Sequence, residues 1–465
     1  MPIAQVNTQN IATIINRQIE HNWLVNHSKH ALQKLLAQKT LEIENFKLNN
    51  QYLPKIALIE SNDISFIAGF FAAIITKSPI FLCSPKWQSA ELDQALQSIK
   101  PHVVWCNNNS QTVANTPPLE NLSYLGMIGI PTGGSSGKVR FALHTIATLT
   151  ASVQGFATYF ESKTINCCCV LPLYHISGLI QLWRSLVTGG KLALTSYSNL
   201  KQNIKPNINP QDYFLSLVPT QLQYLLNSNS HWLAQFKTVL LGGAPAWRSL
   251  LDKARQSNIA LSTTYGMTET ASGISYLKPQ DFLQGNYSSG QILPHVHLTF
   301  TNHSNKSSLC QTGVIKIQSK SLCYGYYPQN MPSEFLVTDD LGFVDVDGFL
   351  HIVGRNSQKI ITGGENVYPQ EVEAAILATK LVKDVCVIGL EDNVWGQVVT
   401  ALYIPLDSKV KIIQIQQQLQ QQLSKHKQPK HWFTIDSLYR DQKGKVNYRQ
   451  LKQIAQELLQ TKNQA

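Results

Sequence analysis

Short apolar runs separated by longer, helix-like stretches set the pattern of this chain. "KIALIE", "SPIFLC", "NCCCVLPL", "YFLSLVP" and "KTVLLGG" have the length of fully buried strands, and longer segments with helical character lie between them. This alternation predicts an α/β fold with layered, largely parallel sheets. The longest apolar stretch, "ISFIAGFFAAII" from Ile64 to Ile75, is about 12 residues against the roughly 20 needed to cross a bilayer, so it predicts a helix buried in protein.

The pattern changes at "GFVDVDGFLHIVG", where an Asp347-Gly348 turn between two alternating runs predicts a hairpin. The Asp-x-Asp-Gly there is not a calcium loop, because Phe343 occupies the first ligand position. After Arg355 the chain restarts as a small α+β unit: "VYPQEVEAAILAT" reads as a capped helix, "VKDVCVIGLED" as a strand, and "KIIQIQQQLQQQLSK" as an amphipathic helix. In that last segment Ile412, Ile415, Leu419 and Leu423 share one face and the glutamines meet water. A chain of 465 residues also exceeds a single typical core. The expected organisation is therefore a large α/β domain over 1–355 and a small one over 356–465.

Composition narrows the class. Hydrophobic residues make up 43%, as in a globular enzyme. The net charge of +11 is dispersed, without the basic block or aromatic-interleaved basic helix of a nucleic-acid binder, and so fits small anionic ligands. Three of the eight cysteines form the run Cys167 to Cys169 and the rest lack metal-ligand spacing, which is thiol usage for a reducing compartment. With no secretion signal, the expected location is the cytoplasm and no membrane insertion is expected. Oligomeric state, a homodimer included, stays open.

The stretch "GIPTGGSSGKVRFALHT" is the clearest local chemistry. Gly133, Gly134 and Gly137 let backbone amides approach an anion, Thr132, Ser135 and Ser136 offer hydroxyls, and Lys138 and Arg140 supply charge. It is not a Walker loop: only three residues separate Gly133 from Gly137, and Val139 follows the lysine where a magnesium-binding hydroxyl belongs. A polar surface hairpin is the alternative reading for such a loop taken alone.

Further stretches decide it: "LPLYHISGL", "LLGGAPAW", "TTYGMTET", "VTDDLGFVDVDGFLHIVGR", "IITGGENVYPQEVE" and "QKGKV". In this order they resemble the acyl-adenylate-forming superfamily of acyl-CoA synthetases, peptide-synthetase adenylation domains and luciferases, over nearly the whole chain. The resemblance implies a two-step ligase using ATP, Mg²⁺ and CoA: a carboxylate attacks the α-phosphate, and a thiol then displaces AMP. It implies that the glycine loop cradles the β- and γ-phosphates. Tyr265 would lie against adenine, near Gly243 and Ala244, with Thr268 at the α-phosphate and Glu269 holding the metal. Asp340 would accept from the ribose with Arg355 assisting, and Lys445 would bridge the carboxylate and α-phosphate. Gly363 and Gly364 would line a pantetheine channel, and Gln358 would be the pivot of a mobile C-terminal domain. Four positions depart from the common pattern: Gly133, Val139, Asp339 beside the ribose acid, and Gln358, where aspartate is frequent.

Within the superfamily the chain is most similar to the ligases that take 2-succinylbenzoate in menaquinone or phylloquinone synthesis. There an arginine nine residues beyond the motif histidine faces the non-reacting carboxylate; here that is Arg184, nine after His175. Arg184 on a solvated helix surface is the competing placement, and His175 is either part of the acyl pocket or a packing histidine. Another aromatic or medium-chain acyl-CoA synthetase, a free-standing adenylation domain loading a carrier protein, and a non-catalytic nucleotide-binding relative are the rival functions.

Overall fold

The computed structural model describes residues 10–113, 116–118, 124–133, 139–301, 311–328, 334–363, 365–408, 410–440 and 446–464. Two large sheets carry the first three quarters of the chain. The eight-stranded one runs in the order Leu24–Val25, Leu192–Leu194, Asn166–Cys169, Tyr213–Leu217, Thr238–Leu241, Leu261–Met267, Ser272–Tyr276, Gln291–Ile292. Its first six strands are parallel and the last two join antiparallel. The seven-stranded sheet is parallel at its centre, where Ile56–Ile59 lies between Ile80–Leu82 and Val103–Cys106. Strands Val139–His144 and Tyr326–Tyr327 extend it antiparallel beyond Ile128–Gly133.

The expected apolar helix forms over Asp63–Thr76 and is buried at every position from Ser65 to Ile74. Asn62 starts it by accepting from the Ile64 and Ser65 amides at 3.0 and 3.1 Å, and Lys77 ends it in the left-handed region. A helix apolar on all sides needs cover on all sides. It obtains that cover between the sheets, because one core cluster contains Phe66 and Phe70 together with Ile56 and Leu58 of one sheet and Cys167 and Cys169 of the other. Burying each such phenylalanine contributes about 1.5–3 kcal/mol. Strand residues alternate accordingly: Cys167 and Cys169 face that layer while Cys168 joins the cluster on the far side. Both faces of the cysteine strand are thus covered, and all three thiols are buried.

A four-stranded antiparallel sheet, Val296–Thr301, Gly313–Ser319, Leu336–Val344 and Leu350–Arg355, follows, and the Asp347-Gly348 turn joins its last two strands with Gly348 at φ 84°. Beyond the single helical turn Asn356–Gln358, the strands form a separate five-stranded sheet: Glu365–Val367, Ile360–Thr362, Gly396–Pro405, Val382–Asp392 and His431–Thr434. Among the described residues Val382–Asp392 pairs only with Gly396–Pro405, at the edge of this sheet. The helix expected to be capped after Val367 begins instead at Pro369 with no side-chain cap. Proline at its first turn has no amide to satisfy there. The glutamine-rich helix spans Ile412–Gln420 and buries Ile415 and Leu419. No described helix is long and apolar enough to cross a membrane.

Candidate active site

Five parallel strands of the large sheet end on the same side, and a cleft of about 2400 Å³ opens at their carboxyl ends. This is where open parallel sheets gather ligands, because successive loops converge there. Gly243 and Ala244 line it after Thr238–Leu241, with Gly243 at φ 83°, a conformation natural to glycine. Tyr265, Thr268 and Glu269 line it from Leu261–Met267 and the helical turn that follows. Thr132 reaches it from the neighbouring sheet, and Asp340, Arg355 and Gln358 close one side. Gly133 ends the strand leading into the glycine loop. Gly134, Ser135, Ser136, Gly137, Lys138, Gly364 and Lys445 lie outside the described residues.

The acidic groups are held by specific donors. The Tyr265 hydroxyl donates to Asp340 Oδ2 at 2.7 Å, and Arg355 Nε lies 3.3 Å from Asp340 Oδ1. Burial, reinforced by the Asp340 charge, pushes the Tyr265 phenol far up, so it stays a donor. Asp340 is therefore oriented from both sides toward the cleft. Its neighbour Asp339 also lines the cleft but is engaged elsewhere: its carboxylate accepts from the Ser357 amide at 2.9 Å and from the Ser357 hydroxyl.

Glu269 is 8% exposed, and its Oε1 accepts from the Tyr326 hydroxyl at 2.8 Å and, more weakly, from Thr132 Oγ1 at 3.4 Å. Burial and the Glu269 charge raise the Tyr326 phenol. Oε2 takes no hydrogen bond among the described residues. One carboxylate oxygen at a polar cleft suits Mg²⁺, which commonly binds one or two carboxylates and completes its shell with water and phosphate oxygens. The adjacent Thr268 is fixed through its main chain: His144 Nε2 donates to the Thr268 carbonyl at 2.8 Å while His144 Nδ1 sits 3.0 Å from Thr148 Oγ1. Burial drives His144 down to about 4, which keeps the ring neutral with its proton on Nε2. Neither Tyr326 nor His144 was expected from sequence; both arrive from other strands.

Arg184 is not on a solvated surface. It is 2% exposed in the helix Ile176–Thr188 and lines the cleft. Its guanidinium stacks 3.7 Å above the Phe156 ring and donates from Nη2 to the Tyr276 hydroxyl at 2.7 Å. Nε has no hydrogen-bond partner, and no carboxylate pairs with this arginine among the described residues. His175 stands at the start of the same helix, lines the cleft, and packs edge-on against Tyr174 at 4.5 Å.

The C-terminal unit supplies the remaining wall through Glu373, Asp384, Arg440 and the run Val446 to Arg449, the residues that follow Lys445. Gly363 is not brought there. It turns at φ 57° against Trp395, to whose carbonyl its amide donates at 2.9 Å.

Known proteins resemble this chain in both of its parts. The AMP-binding enzyme family matches residues 127–327, and the AMP-binding enzyme C-terminal domain matches 371–445. A 2-succinylbenzoate–CoA ligase of Enterococcus faecalis is 32% identical over 68% of this chain and 67% of its own length. One from a Geobacillus species is 32% identical over 70% and 68%. In fold, o-succinylbenzoate CoA synthetase from Bacillus subtilis, solved with its acyl-adenylate intermediate, superposes with a TM-score of 0.79 at 24% identity, over 92% of this chain and 94% of that one. Matched in both segments and along most of its length, the chain belongs to the AMP-binding enzyme family, alongside the 2-succinylbenzoate–CoA ligases.

Proposed function

We propose that the protein is an ATP-dependent, AMP-forming acid–thiol ligase that converts 2-succinylbenzoate, through its acyl-adenylate, into 2-succinylbenzoyl-CoA. The buried Arg184 carries the substrate assignment. A guanidinium taken out of water costs several kcal/mol unless it is paired, and this one faces a cleft with a vacant donor and no acidic partner among the described residues. A carboxylate borne by the substrate, distinct from the reacting one, completes it; a fatty acid would leave the charge unmet.

The first step joins two anions, so positioning and charge neutralisation supply the rate. Asp340, oriented by Tyr265 and Arg355, holds the ribose, and Tyr265 with Gly243 and Ala244 flanks the base. Thr268, fixed by His144, and the glycine loop Thr132 to Lys138 meet the phosphates. Glu269 would hold Mg²⁺, which when bound offsets negative charge on phosphate oxygens. Lys445 bridges the attacking carboxylate to the α-phosphate, and pyrophosphate leaves. CoA thiolate then attacks the acyl carbonyl and AMP leaves. Residues next to Lys445 line the cleft while Gly363 does not, which supports the adenylate-forming arrangement here. The second step then needs residues 356–465 to turn about Gln358 and bring Gly363 and Gly364 to the substrate. Buried free thiols fit a cytoplasmic enzyme.

The test is incubation with ATP, Mg²⁺, CoA and a panel of acids, following AMP and thioester. 2-Succinylbenzoate should give the highest kcat/KM. Preference for a monocarboxylic aromatic or medium-chain acid would overturn the substrate assignment, and acyl transfer to a carrier protein but not to CoA would overturn the ligase assignment.

A further inference from the structure

We infer that Asp384 and Arg440 are positioning residues for adenylate formation, tying to the small sheet the point where Arg440 and Val446, the residues on either side of Lys445's segment, meet. The inference rests on the proposed role of Lys445. Arg440 grips Asp384 with two parallel bonds, Nε to Oδ2 at 3.0 Å and Nη2 to Oδ1 at 2.8 Å. Asp384 lies on the edge strand Val382–Asp392, whose other side is paired along its length, at a register irregularity beside Val382. A bidentate fork fixes direction as well as distance, which a single bond does not. Arg440 in turn forms an antiparallel bridge with Val446, and the Asn447 amide donates to the Tyr439 carbonyl at 3.1 Å. The ends of the lysine-bearing segment therefore meet at one strand spacing, and that meeting point is tied through Arg440 to the sheet.

Two further groups complete the mount. Glu373, from the helix Pro369–Ala378, accepts from the Val387 amide at 2.8 Å, and burial, eased in part by Arg440, raises its carboxyl to about 7. Tyr448 opens the last helix beside Glu373 and Arg440 and feels the charge of Arg355, the partner of Asp340. Glu373, Asp384, Arg440 and Tyr448 all line the cleft. The mount thus reaches from the small sheet to the nucleotide-binding side. Both partners of the ion pair are about 30% exposed (29% and 31%), so its stabilisation is modest and its value is geometric.

Asp384→Asn keeps the shape and removes the charge. Adenylation, read as single-turnover pyrophosphate release, should fall at least tenfold with KM for ATP unchanged, since a displacement of about 1 Å at a reacting group can cost about 10²-fold. Thioester formation from supplied acyl-adenylate and CoA should stay within twofold. Arg440→Ala should match it, and the double variant should be no worse than either single one. Equal loss in both half-reactions, or loss in neither, overturns the inference. If Asp384→Asn melts early, Arg440→Lys takes its place, keeping the charge but not the fork, and parent-like adenylation then overturns it. Lys445→Ala, run alongside, separates the two readings. Loss with Lys445→Ala but not with Asp384→Asn sinks the mount alone; no loss with Lys445→Ala sinks the lysine's role and the mount with it.

Discussion

Replacing Arg184 tests substrate choice and stability at once. The guanidinium is 2% exposed, stacked on Phe156 and bonded to Tyr276, with Nε unpartnered. A charge-assisted pair with a substrate carboxylate is worth about 1.5–3 kcal/mol, or roughly 10- to 150-fold in binding. Arg184→Ala and the bulk-keeping Arg184→Met should both raise KM for 2-succinylbenzoate at least tenfold and leave KM for ATP within twofold. An analogue without the ring carboxylate should be a poor substrate of the parent and be affected little by either change. In the ligand-free protein the sign reverses, because a buried charge lacking a counter-ion is costly and well-packed apolar replacements are often neutral or stabilising by about 1–4 kcal/mol. Arg184→Met should therefore melt no lower than the parent. Equal weakening of both acids, together with a lower melting temperature, would show the arginine to be a packing element and refute the reasoning.

Lys445→Ala should cut adenylation by about 10²-fold while thioester formation from supplied adenylate stays within a few-fold, with Lys443→Ala as a control losing little in either assay. Gln358→Pro, which fixes φ at the expected pivot, should slow thioester formation more than adenylation; equal slowing would place the turning point elsewhere. His144, held neutral at about 4 against 6.5 in an unfolded chain, makes stability fully present above about pH 6.5 and lost progressively toward pH 4. The gap corresponds to about 3 kcal/mol over that window. His144→Gln should flatten the melting temperature across that range relative to the parent, and an unchanged slope would contradict the buried neutral ring.

What the sequence revealed follows from how far apart the interacting residues lie along the chain. The Asp347-Gly348 turn, the apolar helix Asp63–Thr76 and the cysteine strand are legible because periodicity and turn chemistry are local. Tyr265, Glu269 and Asp340 were legible as motif members. The long-range hydrogen bonds that hold such residues in place were not. His144 meets Thr268 across 124 residues, Arg184 meets Tyr276 across 92, and Tyr326 meets Glu269 across 57. A lone histidine or tyrosine in a strand carries no signal of such a partner. The same limit left Arg184 undecided between pocket and surface until the fold placed Phe156, on the helix Ile146–Tyr159, beneath it.

The grip of Asp339 on Ser357 gives the junction between the two units a mechanical character of its own. Asp339 and Asp340 are separated by one peptide bond, yet one binds Ser357 of the crossover and the other binds Tyr265 and Arg355. A glycine at 339 would leave the Ser357 amide and hydroxyl without this carboxylate. If residues 356–465 turn about Gln358 as proposed, the turn would have to release the Ser357 amide and hydroxyl from Asp339 or carry that contact with it. On the proposed roles of Asp340 and Gln358, nucleotide binding and domain turning would thus draw on two adjacent residues of one strand.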